Sequence, residues 1–445
     1  MNTEIATPKP MLILPPNKPV RCEIQIEGGK SESNRALMIA AYGGFTAELE
    51  NLSASDDTRL LQSLLHDIAE AKPNTMLTLD CGLDGTACRF LTTYLAGKKG
   101  QWLLTGNERM RLRPIGALVE ALRDLGAKIE YAECQGAVPL RITGVELSGT
   151  EVHIDMSRSS QFASSLLLAA PCMEQGLHLH LDGVLNSLPY LDMTIELMNH
   201  FGVDVKRDDR LVTVRPKLYI ARPYAVPSDW SSASYWYEIA ALSNDCDIFL
   251  RHLDTKTAHG DAVMARLAES FGVQSEIGDL GVRLTKQATQ AKAFQFDFAA
   301  TPDLFPTVAA ICAGLQIPAT FTGLSNLAVK ESNRIDSMAA ELGKFGTRIE
   351  RVGTHEIHLT PGIRLDKSPR SLPRYSIELP LRFNAHGDHR IAMALAPLSM
   401  VLGAIAIDNP DVVTKSYLNY WEDLRKTGMT VTTGLMQFCF NRNKS

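Results

Sequence analysis

The sequence predicts an α/β protein built from about six related βαβ-type units, and two recurring helix patterns support this interpretation. One pattern is an amphipathic helix that ends in glycine before a strand. The other is a helix that is apolar on every side. The two patterns alternate, so each unit would hold one half-exposed and one buried helix in about 70 residues. Because no single unit could bury its own core, we expect the units to associate, three with three.

The amphipathic helices share a C-terminal signature. Each ends in an apolar residue and a glycine, and an alternating stretch typical of a strand follows. Glycine after the last turn supplies the left-handed C-cap that ends a helix. The glycines, spaced by about 70 to 80 residues, are Gly126, Gly202, Gly272, Gly346 and Gly428. An earlier copy, DDTRLLQSLLHDIA at residues 56–69, lacks the glycine.

The second helix type begins with small or polar residues and then becomes almost wholly apolar. A helix without a polar face must be buried on all sides. The copies are SESNRALMIAAY, DGTACRFLTTYLA, SSQFASSLLLAAP, SSASYWYEIAALS, TPDLFPTVAAICAG and GDHRIAMALAPLSM. These patterns leave one alternative open, an ordinary doubly wound α/β sheet.

Composition excludes several classes of partner. The chain has 45 Lys+Arg against 50 Asp+Glu, a net charge of -5, which argues against a nucleic-acid partner. The apolar stretch from Ile391 to Ile407 is interrupted by Pro397, Ser399 and Gly403, so we read it as a buried helix running into a strand, not a membrane span. The N-terminus has no signal-peptide core. We expect a monomeric cytoplasmic protein.

The eight cysteines are scattered, without a CxxC pair or a Cys/His spacing typical of zinc. Cys88 and Cys312 stand in apolar runs, where a free thiol behaves as a small buried hydrophobe. Reduced thiols fit a cytosolic protein. We expect neither a metal site nor a cofactor.

Polar and cationic residues stand at the predicted helix starts. A lysine or arginine there opposes the helix dipole and does not stabilise the helix, but together with the free N–H groups it suits anion binding. The candidates are Lys30, Ser31 (as N-cap), Arg35, Arg113 before Pro114, Ser159, Ser160, Gln161, Tyr190, Asp303, Lys330, Glu331, Arg334, Asp388, His389, Arg390 and Lys415. They predict a ligand with more than one phosphate or carboxylate. The GGKS stretch at 28–31 is not a P-loop, because that motif needs glycine where Ile24 stands.

In this order and spacing, the motifs resemble those of the 5-enolpyruvylshikimate-3-phosphate synthases, a family of enolpyruvyl transferases, from about Leu14 to Tyr420. The matching stretches are Lys30-Ser-x-Ser-Asn-Arg35, Gly85-Thr-Ala-x-Arg89, Arg109-Met-x-x-Arg113-Pro-Ile-Gly, Ser159-Ser-Gln, Ser187-x-Pro-Tyr190-x-Asp192, Asp229-x-Ser-Ser-Ala-Ser-Tyr235, Pro302-Asp303, Val329-Lys-Glu-Ser-x-Arg334, Asp388-His-Arg-x-Ala-Met393 and Lys415-Ser. Each is moderately specific alone, and together they are very specific.

The resemblance implies a two-domain inside-out α/β barrel, with three βαβαββ repeats in each domain. Residues 1–21 with 229–445 would form a discontinuous domain, and residues 22–228 the domain inserted in it. The active site would lie in the cleft between the domains, which close on binding. The implied reaction moves the enolpyruvyl group of phosphoenolpyruvate onto the 5-hydroxyl of shikimate 3-phosphate and releases phosphate. It needs no metal or cofactor, and the family is the target of glyphosate.

The resemblance also implies residue roles. Glu331 would transfer the proton to the methylene carbon of phosphoenolpyruvate. Asp303 would orient or deprotonate the 5-hydroxyl, with Lys330 as the competing base. Lys30 would be a further catalytic residue. Phosphoenolpyruvate would bind to Lys30, Gly85, Arg113, Gln161, Arg334, Arg390 and Lys415. Shikimate 3-phosphate would bind to Lys30, Ser31, Arg35, Ser159, Ser160, Gln161, Ser187, Tyr190, Asp303, Asn326 and Lys330. His389 is read as a hydrogen-bonding residue at a helix start, not as the acid or base.

The sequence departs from the family pattern at Leu83-Asp84, Phe90, Leu188 and Ala328. Leu83-Asp84 and Phe90 flank the region that shapes the phosphoenolpyruvate pocket, so the response to glyphosate is open. Two alternatives remain. A UDP-N-acetylglucosamine enolpyruvyl transferase would carry a reactive cysteine between Lys98 and Pro114, where this chain has none. A non-catalytic protein that binds a phosphorylated ligand would not need the catalytic side chains that this chain retains.

Overall fold

The computed structural model describes residues 9–434 except 47, 74, 158, 354–355 and 363–373. The strands β1 to β22 of this described part are, in chain order, Met11–Leu14, Val20–Gln25, Leu49–Glu50, Met76–Asp80, Gln101–Thr105, Lys128–Tyr131, Leu140–Thr143, Glu151–Asp155, Leu177–Asp182, Val205–Asp208, Leu211–Val214, Tyr224–Ala225, Cys246–Arg251, Val273–Gly278, Gly281–Lys286, Phe294–Asp297, Ala319–Thr322, Arg348–Val352, Glu356–Thr360, Leu381–Asn384, Ile405–Asp408 and Thr430–Thr433.

The α-helices α1 to α13 of the same part are Lys30–Gly43, Asp56–Ala69, Gly85–Gly97, Gly116–Asp124, Ser160–Ala169, Leu188–His200, Trp230–Leu242, Met264–Ser270, Phe305–Gly314, Arg334–Gly343, His389–Leu395, Ser399–Leu402 and Tyr420–Lys426. Short 3₁₀ helices span Met110–Leu112, Ala170–Cys172, Gly260–Val263, Pro302–Leu304, Leu327–Val329, Ala396–Leu398 and Pro410–Lys415.

The strands form separate small sheets. Five sheets in the described part have four strands, in the orders β20-β21-β1-β22, β10-β11-β9-β8, β14-β15-β13-β2, β16-β17-β19-β18 and β4-β5-β7-β6. In the last of these, β4 and β5 are parallel and joined through α3, while β6 and β7 pair antiparallel at the other edge. This is the βαβαββ repeat. The sixth predicted unit is reduced to the two-stranded pair of β3 and β12.

The apolar helices are buried, as their sequence predicted, and they form two cores. Every residue of α7 and of α9 is buried, and α5 is buried except at Gln161. One core gathers side chains between Ala36 and Tyr219, and the other gathers those of Met11–Ile26 and Trp230–Val431. Two cores and separate sheets confirm the two-domain α/β fold and exclude a single doubly wound sheet for the described residues.

Strand pairing corrects one predicted domain boundary. The limit between residues 21 and 22 falls inside β2, which pairs in parallel with β13 from Val20 to Gln25 and therefore belongs wholly to the second core. The chain crosses to the other half directly afterwards. Gly28 forms a bridge with Ser228, and the Gly29 N–H donates to the Pro227 carbonyl at 2.8 Å, so the two crossings lie side by side.

Two helices start elsewhere than predicted. Ser31 is not the N-cap of α1: the helix begins at Lys30, because the carbonyl of extended Gly29 already accepts the N–H of Ser33 at 2.9 Å. Helix α4 begins at Gly116 and not at Pro114, since the Ile115 carbonyl is the first to accept helical N–H groups.

Two further cations do not open a helix. Lys330 has an extended backbone, and α10 begins only at Arg334 after the side chain of Asn333 caps it. Lys415 is the last residue of a 3₁₀ helix rather than the first of α13. By contrast Ser159 and Asp388 cap α5 and α11 through their side chains, accepting from the N–H groups of Gln161 and Arg390.

The apolar stretch Ile391–Ile407 folds as predicted, with α11, a 3₁₀ turn and α12 running into β21. Among the helices of the described ranges, none combines the length and the apolar character needed to cross a membrane. Cys88 and Cys312 are buried free thiols. Cys439 lies outside the described residues.

Candidate active site

A cavity lies between the two halves of the molecule, and the N-terminal ends of α1, α3, α5, α6, α10 and α11 reach it. Sixteen of the sequence-predicted site residues line it: Lys30, Ser31, Arg35, Gly85, Arg113, Ser159, Ser160, Gln161, Ser187, Tyr190, Asp303, Asn326, Lys330, Glu331, Arg334 and Arg390. Lys415 stands just behind the lining, with its Nζ 4.0 Å from a carboxylate oxygen of Glu331.

Asp303 is the most heavily paired carboxylate of the cavity. Its oxygens accept from Arg334 at 2.6 Å, from Arg390 at 2.9 Å and from the hydroxyl of Tyr190 at 3.0 Å, and the Nζ of Lys330 lies at 3.5 Å. Burial alone would raise the pKa of Asp303, but Arg390, Lys330 and Arg334 outweigh it and hold that pKa well below its usual range. Asp303 is therefore ionised and a weak base in this arrangement.

Glu331 is ionised for a similar reason. Its Oε2 accepts from Arg334 at 3.1 Å. Burial would raise the pKa of Glu331, but Arg113, Arg334 and Lys415 prevail and hold it well below the usual value. Since three cations set this pKa, any anion that occupies them will let it rise.

Asp57 pairs with two cations, Lys30 and Lys415. It accepts from Lys30 at 2.9 Å and from Lys415 at 2.6 and 2.7 Å. Burial opposes the charge of Lys30, yet Asp57, Glu331 and Asp84 together raise its pKa. Asp84 caps α3 by accepting from the Thr86 N–H, and burial followed by the charge of Asp57 raises its pKa to about 6.

Gly85 allows two guanidinium groups to approach the start of α3. A β-carbon at Gly85 would lie 2.6 Å and 2.7 Å from the Nη atoms of Arg113 and 2.7 Å from Nη1 of Arg89. Any side chain would therefore displace both arginines. Burial, reinforced by the charge of Arg113, lowers the pKa of Arg89 to about 10.

The other side of the cavity is polar without being strongly charged. Ser159, Ser160 and Gln161 stand at the start of α5, where the Gln161 amide donates to Thr86 at 3.0 Å. The Asn326 amide donates to Ser187 at 3.3 Å and so joins the two halves. These hydroxyl and amide groups suit a polyhydroxylated ligand.

Arg35 already uses most of its donors within the protein. It donates to the Ser31 carbonyl, to Thr194, to Ser164 and to the Tyr190 carbonyl at 2.7 to 3.3 Å. Its guanidinium also lies 5.4 Å from the ring centre of Phe90. Of its five N–H groups, one has no partner among the described residues. Burial lowers the pKa of Arg35 to about 10.

His389 is the first residue of α11, as predicted, but it makes no hydrogen bond through its ring. Both ring nitrogens are buried and lack a partner in the described part of the chain. Burial, helped by Lys30 and Arg390, lowers the pKa of His389 well below its usual value. The ring is therefore neutral, and its prediction as a hydrogen-bonding helix-start residue is wrong for this structure, because Asp388 already caps the helix.

Comparison with known proteins agrees with this cavity. Residues 14–424 match the family model described as EPSP synthase (3-phosphoshikimate 1-carboxyvinyltransferase). The 3-phosphoshikimate 1-carboxyvinyltransferase of Bacteroides fragilis (strain YCH46) is 40% identical over 416 residues, which cover 93% of this chain and 97% of the relative. That of Sulfurovum sp. (strain NBC37-1) is 33% identical, with 93% and 98% covered.

This chain belongs to the EPSP synthase family. Solved structures agree on the fold: an EPSP synthase from Acinetobacter baumannii has a TM-score of 0.73 at 23% identity, covering 96% of this chain and 100% of that one. The enolpyruvyl transferase NikO from Streptomyces tendae has a TM-score of 0.69 at 15% identity, with the same coverage.

Several residues of the cavity were not among the candidates predicted from the sequence: Asp57, Asp84, Thr86 and Arg89 line it alongside the predicted set and His389. Asp57 stands in the first turn of α2, where an acidic residue is expected for helix stability alone. Thr86 and Arg89 belong to the quoted family motif that begins at Gly85, and this motif was the signal that could have found them. Arg109, also in a motif, donates from the inserted half to the backbone carbonyls of Glu331 and Lys330 at 3.1 and 2.9 Å.

Proposed function

We propose that this EPSP synthase family member transfers the enolpyruvyl group of phosphoenolpyruvate to the 5-hydroxyl of shikimate 3-phosphate. The 5-oxygen adds to C2 of phosphoenolpyruvate while the methylene carbon gains a proton, which forms a tetrahedral ketal. The ketal then loses a proton from its methyl group and phosphate from C2. Family membership and a cleft with one cationic and one hydroxyl-rich side support the proposal.

On the cationic side, Lys30, Gly85, Arg113, Gln161, Arg334, Arg390 and Lys415 would hold phosphoenolpyruvate. Arginine pairs bidentately with phosphate and carboxylate, and preorganised positive charge stabilises the ketal more than it stabilises free reactants. Asp57 and Glu331 keep these cations in position before an anion arrives, since Lys30, Lys415 and Arg334 all have a carboxylate partner.

On the other side, Lys30, Ser31, Arg35, Ser159, Ser160, Gln161, Ser187, Tyr190, Asp303, Asn326 and Lys330 would hold shikimate 3-phosphate. The bonds that Arg35 makes within α1 and to α5 and α6 leave it chiefly a positioning residue for α1, with a single N–H for the ligand. The hydroxyl and amide groups of the serines and Asn326 would bond the sugar-like ring and its phosphate.

The single observation that carries the proposal is the position of Asp303 between the two groups of residues. It accepts from Tyr190 of the shikimate 3-phosphate set and from Arg334 and Arg390 of the phosphoenolpyruvate set. The carboxylate of Asp303, which the 5-hydroxyl must approach, would therefore lie between the two ligands. With its pKa held down, Asp303 would orient the hydroxyl.

Lys330 would then take the proton from the 5-hydroxyl. Burial lowers the pKa of Lys330, and Arg334 and Arg113 lower it further against the opposing effect of Asp303 and Glu331. A lysine with a lowered pKa can act as a base near neutral pH. Glu331 would deliver and remove the carbon proton, with Lys30 polarising the phosphate that leaves.

The test is phosphate release by the purified chain. We expect release only when phosphoenolpyruvate and shikimate 3-phosphate are both present. Release with UDP-N-acetylglucosamine in place of shikimate 3-phosphate would replace the proposal by the sibling reaction. If neither acceptor supports release while both ligands bind, the chain is a binding protein. A cytoplasmic location and a monomeric state stay predictions, and the response of this chain to glyphosate stays open.

A further inference from the structure

A cluster of metal-binding side chains lies outside the cavity, on the exposed face of the sheet formed by β8 and β9. The strands are parallel and His153 stands directly opposite His180, while Glu151 precedes His153 by two residues on the same face. One ligand atom from each of Glu151, His153 and His180 can be chosen so that all three lie within 4.8 Å of one another. From this geometry we propose that Glu151, His153 and His180 bind a divalent transition-metal ion of the Zn²⁺ type.

The donor set fits that chemistry. Imidazole nitrogen and carboxylate oxygen are ligands that Zn²⁺ prefers, and three protein ligands leave a fourth position for water. The His180 Nε2 and the Glu151 Oε1 are already 2.7 Å apart. Because these ligands come from two rigid neighbouring strands, little chain entropy is lost when an ion joins them.

A second carboxylate supports His153. A ring nitrogen, Nδ1, lies 3.2 Å from the Asp182 carboxylate, which leaves Nε2 as the ligand atom. Metal-bound histidines in proteins commonly have such a carboxylate on the other nitrogen, where it fixes the tautomer and raises the basicity of the ligand. As plain exposed ion pairs, these contacts would contribute little to stability.

The two imidazole rings must tilt for both to bind one ion. They are stacked, with centres 4.4 Å apart and planes 10° apart, so their lone pairs run side by side. The His153 side chain is 63% exposed and can turn toward His180 without displacing core residues. The C-terminal ends of β8 and β9 lead to Ser159 and Ser187, so a bound ion would tie together the two strands that carry one side of the cavity.

The ligands were not visible as a spacing motif, because the two histidines lie 27 positions apart in the sequence and only strand pairing brings them together. This explains why the sequence predicted no metal site. The proposal does not depend on the activity proposed above, since its site shares no residue with the cavity.

Calorimetric titration of Zn²⁺ into the chelator-treated full chain tests the proposal. We expect one strong site, which His153→Ala and His180→Ala each remove. We also expect Asp182→Asn to weaken it by about 10- to 100-fold. The matched control is His178→Ala, because His178 lies on the same face of β9 but is hydrogen-bonded to Thr213. This variant should keep the metal site.

Thermal unfolding gives an independent readout. Zn²⁺ should raise the Tm of wild type and of His178→Ala but not that of His180→Ala, because an ion that binds only the folded chain stabilises it. The exposed position of these side chains keeps the variants folded, which circular dichroism would verify. Absence of a strong site in wild type, or an unchanged site in the double variant His153→Ala/His180→Ala, would overturn the proposal.

Discussion

Glu331 shows how a single buried residue can depend on its ligands for its protonation state. Three cations, Arg113, Arg334 and Lys415, hold its pKa low. The proposed role needs a proton on this carboxyl when phosphoenolpyruvate is bound. Binding of an anion supplies that condition, since the cations then share their charge with the ligand.

We therefore predict that wild type takes up a proton when phosphoenolpyruvate binds beside shikimate 3-phosphate, and that Glu331→Gln does not. Titration calorimetry in buffers of different ionisation enthalpy measures the uptake. Glu331→Gln should also lower turnover by about 100- to 10,000-fold, the usual contribution of general acid–base catalysis, while shikimate 3-phosphate still binds. Glu120→Gln, on an exposed ion pair with Arg123, is the control. If the Glu331→Gln variant exchanges solvent protons into the methylene group of phosphoenolpyruvate at the wild-type rate, Glu331 has no part in the mechanism.

Glu32 lies at the crossing between the two halves. It is buried in the first turn of α1, and its Oε2 has no partner among the described residues. Burial raises the pKa of Glu32 to about 7, with Asp229 adding to the effect and His259 and Arg35 opposing it. A carboxyl whose folded pKa is raised contributes stability at low pH, and this contribution is lost as pH rises through 7.

Glu32→Gln cannot ionise, so its stability relative to wild type should increase with pH. Between pH 5 and pH 8 we expect the difference in free energy of unfolding to move by about 2 kcal/mol in favour of the variant. Urea denaturation at the two pH values measures it. Glu48→Gln removes an exposed carboxylate and should show no such change. A pH-independent difference for Glu32→Gln would mean that Glu32 keeps an ordinary pKa.

At the scale of elements, helix α7 combines a clear sequence signal with one residue that contradicts it. All of its residues are buried, in agreement with the apolar pattern. Yet Glu238 lies in the middle of it, fully buried, and neither carboxylate oxygen has a hydrogen-bond partner in the described ranges. Burial raises the pKa of Glu238 well above its usual value, so the group is protonated.

We predict that Glu238→Met raises the free energy of unfolding by about 1 to 3 kcal/mol at neutral pH, because a buried polar group without a partner destabilises the folded state by about that amount. The gain should grow as pH rises, since the unfolded glutamate ionises and the folded one does not. Glu238→Gln separates the two effects: it removes the pH dependence but keeps an unpaired polar group. If both variants are less stable than wild type at all pH values, the carboxyl has a structural partner.

The sequence predicts which residues cap a helix, but not whether a lysine near a predicted helix start belongs to that helix. Ser159 and Asp388 cap their helices as their residue types suggest. Lys330 and Lys415 resemble helix-start cations in sequence but lie in an extended segment and at the end of a 3₁₀ helix. Their positions follow from the carboxylates that they contact, Asp303 and Asp57, which belong to other elements.

At the scale of the whole molecule, contacts across the cleft join the two halves of the protein. Arg109 donates to the backbone carbonyls of Lys330 and Glu331, which precede α10 in the other half. Asp57 and Lys415 pair across the same boundary. The non-helical segment before α10, which presents both proposed proton-transfer residues, is thus held by a residue from the opposite domain.

Arg109→Ala should lower kcat/KM by about 10- to 100-fold, because the two charge-assisted hydrogen bonds that position Lys330 and Glu331 are lost and a small misplacement of catalytic groups costs about this much. Steady-state kinetics with both substrates measures it. Arg283→Ala, which loses two bonds to Asp247 on an exposed sheet face, should keep wild-type kinetics. An unchanged kcat/KM in Arg109→Ala would show that α10 alone positions the segment.

The sequence by itself determined the repeating α/β units, the buried helices and most of the residues that line the cleft. It could do so because helix burial follows from periodicity, and caps follow from the chemistry of neighbouring residues. Only the tertiary structure decided the crossing after Gln25, the partners of the cations, and the roles of Asp57, Asp84 and Arg109. These depend on strand pairing and on charges brought together from distant parts of the chain, where burial and Coulomb interaction act through space.

The charge of the chain shows the same division. A net charge of -5 describes a mildly acidic protein and gives no reason to expect a nucleic-acid partner. The net charge does not reveal the cavity, in which five cations surround a few carboxylates: Lys30, Arg113, Arg334, Arg390 and Lys415. Their number could be counted from the sequence. Their convergence could not, because it results from the packing of two domains whose helices point their N-terminal ends at one cleft.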